Sequence, residues 1–95
     1  RFDRVPDQAL IVSARHVGSM HRRACRDAAR TWAMVYVPWE GDVALDLAGF
    51  AAARLAAAWF DPITGRTFPA DEVATGGRAE FLAPSARQDW VLLLE

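Results

Sequence analysis

From Asp42 to Leu47 the chain alternates. Val43, Leu45 and Leu47 are apolar, and Asp42, Ala44 and Asp46 lie between them. A period of two sends successive side chains to opposite faces, so this segment reads as a strand with one dry and one wet face. Residues 32–37 are rich in β-branched and aromatic side chains, as strands are. Trp32, Met34 and Tyr36 fall on one side, and Ala33, Val35 and Val37 on the other. With both faces apolar, that strand belongs in the middle of a sheet. Residues 90–94 follow the same logic as a buried final strand.

Turn residues punctuate these runs at the spacing of a sandwich or barrel. Pro38-Trp39-Glu40-Gly41 separates two of them. Asp61-Pro62-Ile63-Thr64-Gly65 supplies a proline with fixed φ and a glycine for a left-handed position, which is a hairpin signal. Gly76-Gly77 and Ala83-Pro84-Ser85 are further breaks. The expected fold is all-β: an antiparallel β-sandwich of about seven to eight short strands, near residues 9–13, 21–27, 31–37, 43–47, 54–60, 67–70, 79–82 and 90–94. Residues 48–58 oppose this reading, because alanine is the best helix former. Gly49 and the short length weaken the helix, and strand pairing overrides propensity, so residues 54–60 are assigned to a strand.

A chain of 95 residues makes one domain, and a core of that size absorbs most of its apolar side chains. The opening Arg1-Phe2-Asp3 has neither an initiator methionine nor a signal peptide, so the chain is read as a piece of a longer protein, with residues 1–8 as a connector. No stretch is long enough to span a membrane. The net charge of −1 gives no overall pull toward nucleic acid or an anionic membrane. Cys25 is the only cysteine, so no internal disulfide exists.

Four segments together resemble a known family: residues 33–38, then 43–47, then Ala58-Trp59-Phe60-Asp61-Pro62-Ile63-Thr64-Gly65, then Asp89-Trp90-Val91-Leu92-Leu93-Leu94. In this order they look like the C-terminal β-sandwich named the putative collagen-binding domain of a collagenase. The resemblance implies a non-catalytic accessory domain behind a glycoside-hydrolase-like barrel, bracing that barrel and binding glycan or a collagen-like fibre. It also implies an extracellular or periplasmic setting as part of a longer, secreted protein. Val5-Pro6-Asp7-Gln8 resembles the segment that leaves the barrel. Family members often carry an Asp-Gly-type tight turn before the tyrosine-containing strand. Here Asp27-Ala28-Ala29-Arg30-Thr31 has no glycine, which implies a longer loop. The alternative is a free-standing carbohydrate- or protein-binding module.

The candidate ligand-binding residues are Trp39, Tyr36 and Glu40. Trp32, Trp59 and Trp90 fall in strands, where burial is the ordinary fate of tryptophan. Trp39 falls in a turn, where binding residues collect. Its exposed indole would offer a flat apolar face to a sugar ring or a partner's side chain. Packing of the loop or docking on the barrel is the competing reading.

Asp61 reads as a turn cap rather than a metal ligand. His21 and Cys25 would lie about 13 Å apart on a strand, too far to share an ion. No cofactor is implied. Residues 15–30 hold five Arg against one Asp, while the rest of the chain holds six Arg against eleven acids. That polarity could suit an anionic polymer, but no aromatic residue interleaves the arginines. An edge strand guarded by charge is the preferred reading. No nucleophile elbow, zinc helix or phosphate loop is present. Asp71-Glu72 would point to opposite faces of a strand. The chain is therefore not expected to be an enzyme in its own right. An independent hydrolase using Glu40 or Asp42 is the remote alternative.

Overall fold

The computed structural model describes residues 4–12, 22–39, 41–85 and 87–95. Eight strands form two antiparallel layers: β1 (Arg4–Pro6), β2 (Arg23–Asp27), β3 (Ala33–Val37), β4 (Asp42–Asp46), β5 (Arg54–Phe60), β6 (Thr67–Ala74), β7 (Arg78–Leu82) and β8 (Trp90–Leu94). One sheet has six strands in the order β1-β2-β3-β8-β5-β6, and β4 and β7 pair as the second layer. The expected β-sandwich is the observed fold.

Burial follows the period-two pattern. Val35, Val37, Leu92, Leu94, Trp59 and Leu55 from the large sheet meet Val43, Leu45 and Leu47 from the small one in a single core. Both layers of that core lie within the 95 residues. β3 and β8 are the central strands, as their apolar composition requires. In β4, Val43 and Leu45 face the core, while Asp42 and Asp46 are exposed. Ala44 is buried as well. The segment after β1 runs along the edge of β4, with a bridge between Ile11 and Leu45 and a 2.9 Å bond from the Val12 amide to the Ala44 carbonyl.

The alanine-rich segment divides. Residues 51–53 are exposed bends in the crossover between sheets, and Arg54–Phe60 is a strand with the bounds expected. Pairing decides this. β5 lies between β6 and β8, and Leu55, Ala57 and Trp59 point into the core. A register shift between Leu55 and Ala57 absorbs one residue.

Two expectations need correction, and another gains a structural detail. Residues 9–12 are not a strand: Gln8–Leu10 is a 3₁₀ turn, its first turn capped by the Asp7 carboxylate, which accepts from the Ala9 amide at 3.1 Å. Residue 13 lies outside the described residues. Second, within the segment expected as a connector, Arg4–Pro6 pairs with β2 as a strand of the sheet. Beyond β1 the Asp7 amide donates to the Ala24 carbonyl at 2.9 Å. The Gln8 side-chain amide prolongs this ladder, giving to the Arg22 carbonyl at 2.8 Å and accepting from the Ala24 amide at 2.9 Å.

Third, the arginine-rich segment is not an edge, because β1 covers β2. Its charges are used internally. Arg22 is 1% exposed and reaches across to the other sheet. Its Nε gives to the Asp42 carbonyl and its Nη2 to the Asp42 carboxylate, each at 2.9 Å. Arg26 pairs with Asp7 at 2.8 Å. Arg15, His16 and His21 lie outside the described residues. Of the two edge strands, β1 and β6, the latter runs on to Ala74 because it pairs with β5 over that strand's whole length. An edge position tolerates Pro69, which has no amide hydrogen to give.

The β2–β3 connection is the longer loop that the missing glycine implies. Arg30 takes a left-handed φ of 59°, and its amide donates to the Asp27 carbonyl at 3.1 Å. The buried Asp27 carboxylate accepts from the amides of Thr31 and Trp32 and from the Thr31 hydroxyl. Burial alone would raise the pKa of Asp27, but these donors outweigh it and hold the carboxyl below its ordinary value.

Candidate functional site

The end of the sandwich where β3 and β5 finish and β8 begins carries the exposed side chains. Pro38 follows β3, and Trp39 comes next with φ of 43°. A left-handed backbone at a bulky residue costs about 1–2 kcal/mol, so the surroundings must hold it there. The loop from β7 to β8 does so. The Arg87 amide donates to the Trp39 carbonyl at 2.8 Å, and Arg87 is itself left-handed at φ 66°. From the other side, the Trp39 amide makes a long 3.4 Å bond to the Asp89 carboxylate. That carboxylate also accepts the Tyr36 hydroxyl at 2.8 Å. Gly41, at φ 78°, closes the turn, and its carbonyl accepts from the Ala83 amide at 2.6 Å.

Trp39 is 62% exposed, whereas Trp32, Trp59 and Trp90 are buried. The division of the four indoles expected from their positions is the one observed. Tyr36 lies at the rim on the outer face of the large sheet. Its hydrogen bond to Asp89 raises the phenol's pKa, with smaller contributions from burial and the Asp89 charge. Glu40 lies outside the described residues. Two further apolar side chains stand exposed nearby in the fold, Leu82 beside the Gly41–Asp42 step and Ile63 in the β5–β6 turn.

That turn is built as its sequence requires. Asp61 accepts from the Ile63 amide at 2.8 Å, and Gly65 takes φ of 79°. Burial opposes ionisation of Asp61, but nearby donors, the Ile63 amide foremost, prevail and lower its pKa.

Sequence reasoning placed Tyr36 and Trp39 together and missed Asp89 and Arg87. Asp89 carries the arrangement, since one carboxylate joins the tyrosine to the tryptophan turn. The signal was an acidic residue immediately before the last strand. Using it requires knowing that β8 pairs with β3 in the register Val37 to Trp90. The site offers an exposed indole, a phenol and a carboxylate, which suit stacking and hydrogen bonding. Asp42, a candidate for hydrolysis, is engaged with Arg22. Among the described residues no three His, Cys, Asp or Glu side chains gather as a metal site.

The fold has solved counterparts. A protein titled glycoside hydrolase superposes with a TM-score of 0.83 at 25% identity, over 98% of this chain and 21% of its own. A glycoside hydrolase family 5 protein from Bacteroides vulgatus gives 0.82 at 25% identity, over 98% of this chain and 20% of its own. The chain thus spans about a fifth of each of these proteins. No curated protein matches it. From the β1 strand to the last residue the sequence does fit one family model: residues 5–95 match the putative collagen-binding domain of a collagenase, and the chain belongs to that family.

Proposed function

We propose that this chain is the non-catalytic accessory sandwich of a glycoside-hydrolase-like protein and that it braces the catalytic portion. The observation that carries this reading is the one-sided coverage: nearly all of this chain corresponds to about a fifth of two glycoside hydrolases. The internal use of its charged groups agrees with it. Asp42 is tied to a buried arginine, and Glu72 pairs with Arg54 at 3.0 Å rather than facing a second carboxylate across a cleft. Deleting the domain from the full-length parent is expected to lower its melting temperature by several degrees and to reduce its solubility. A parent that melts unchanged without the domain removes the reading.

A second role is favoured by Trp39, which is exposed and held in a costly backbone conformation. It would stack on a sugar ring or a side chain of a collagen-like fibre, with Asp89 accepting a hydroxyl hydrogen. Retention of the domain on a panel of polysaccharides and on fibrillar collagen should identify a ligand, and Trp39→Ala should weaken that retention roughly tenfold. Retention that is indifferent to Trp39→Ala rules out this role for the loop.

A further inference from the structure

Among the described residues, a second layer covers only one face of the large sheet. The inner face meets β4 and β7 in the core. On the outer face the pairing registers place Pro6, Cys25, Met34, Leu93, Ala58 and Pro69 in one row across all six strands. The neighbouring row runs Arg23, Tyr36, Val91, Phe60 and Thr67, apolar over the central strands and polar or charged toward the two edges. The two central strands, β3 and β8, present no charged side chain on this side. Cys25, Met34, Ala58, Val91 and Leu93 are all half-buried. An antiparallel sheet whose outer face meets water ordinarily alternates apolar with polar residues. Over the central strands β3 and β8 this sheet does not, and a contiguous apolar patch marks a contact surface.

We propose that this outer face is the surface on which the rest of a glycoside-hydrolase chain packs. The proposal rests on the accessory-domain reading and specifies its contact. The comparison supplies the occupant: in each solved counterpart about four-fifths of the chain lies beyond this fold. The chemistry of the face agrees, since its uncharged centre of Met34, Leu93, Val91 and Ala58 suits a protein surface better than a hydrated sugar. The entry strand agrees too. β1 belongs to this same sheet and is fastened to β2 by the Asp7 amide, the Gln8 side chain and the Arg26–Asp7 pair. A segment preceding it in a longer chain would meet the sheet in a fixed register.

Cys25, on β2, lies second in the row beside Met34 and reports on it. Burial raises its thiol pKa, and the charge of Arg4 draws it partway back, so labelling is best done above neutral pH. Maleimide modification of the Cys25 peptide, followed by mass spectrometry, should be roughly tenfold slower in the full-length protein than in the 95-residue chain. Leu93→Asp in the full-length protein should restore the fast rate and lower the melting temperature. Leu82→Asp, at the loop end, should do neither. Circular dichroism of the 95-residue Leu93→Asp chain separates undocking from unfolding, and Met34→Glu replaces it if that variant does not fold. Equal Cys25 labelling in the two wild-type proteins overturns the proposal. If deletion of the domain still destabilises the parent in that case, bracing stands through another face. If deletion is without effect, bracing fails as well.

Discussion

Trp90→Ala is expected to remove about 3–5 kcal/mol of folding stability, the range for deleting a buried large aromatic. Trp90 is 3% exposed and begins the central strand β8. Its ring meets Trp59 edge to face at 6.3 Å and Phe68 at 5.9 Å. Its indole N–H also donates to the Ser85 carbonyl at 2.9 Å. A domain of this length has roughly 5–14 kcal/mol in total, so the loss is a large fraction of what holds it folded. Trp90→Phe should cost less. It keeps an aromatic ring against both neighbours and loses the hydrogen bond and part of the volume. Urea unfolding followed by circular dichroism measures both variants. A loss below about 1 kcal/mol for the alanine variant would mean that the ring is not a centre of the core. The consequence reaches the candidate site, because the Ser85 bond anchors the loop that carries Arg87 and Asp89. Trp90→Phe should therefore loosen the Trp39 turn even where the sandwich survives.

What could be read from the sequence follows the range of the interaction that fixes it. β3, β4 and β8 are written locally, as alternation or as runs apolar on both faces, whereas β5, whose alanines favour a helix, is made a strand by its pairing with β6 and β8. The sequence marks them to within a residue or two. The Asp61–Gly65 turn is equally local, since its cap and its left-handed glycine lie within five residues. β1 escaped because three residues with a proline carry no period, and only pairing with β2 makes them a strand. The neighbouring 3₁₀ turn was hidden for a related reason. The apolar run from Ala9 to Val12 resembles a strand until the Asp7 carboxylate bends it. At the candidate site, Tyr36 and Trp39 were visible by position, one on a strand and one in a turn. Asp89 was not, because its partners are about fifty residues away and meet it only through the β3–β8 register.

The arginine-rich segment shows the same limit with the largest energetic consequence after Trp90. By composition it is a positive patch, yet in the fold Arg22 is a strut between the sheets. Arg22→Ala is expected to cost about 2–4 kcal/mol, from a charge-assisted hydrogen bond and the packing of the side-chain stem. Nothing compensates for the loss within the alanine variant, and the Asp42 carbonyl loses its donor. Arg22→Met keeps the stem and leaves no buried charge, so it should recover at least half of that cost. Asp42→Ala should cost about 2–3 kcal/mol, since it leaves the buried Arg22 guanidinium without its carboxylate while the Asp42 carbonyl still accepts from Nε. The expected order, with methionine at 22 the mildest of the three, can be read from denaturation midpoints at constant slope. A cost under about 0.5 kcal/mol for Arg22→Ala would return the segment to the surface-charge reading. The strut also bears on the site, because Asp42 follows Gly41 directly. By fixing the first residue of β4 to β2, Arg22 sets where the Trp39 turn must end. The Arg22→Ala variant should therefore also weaken any Trp39-dependent retention.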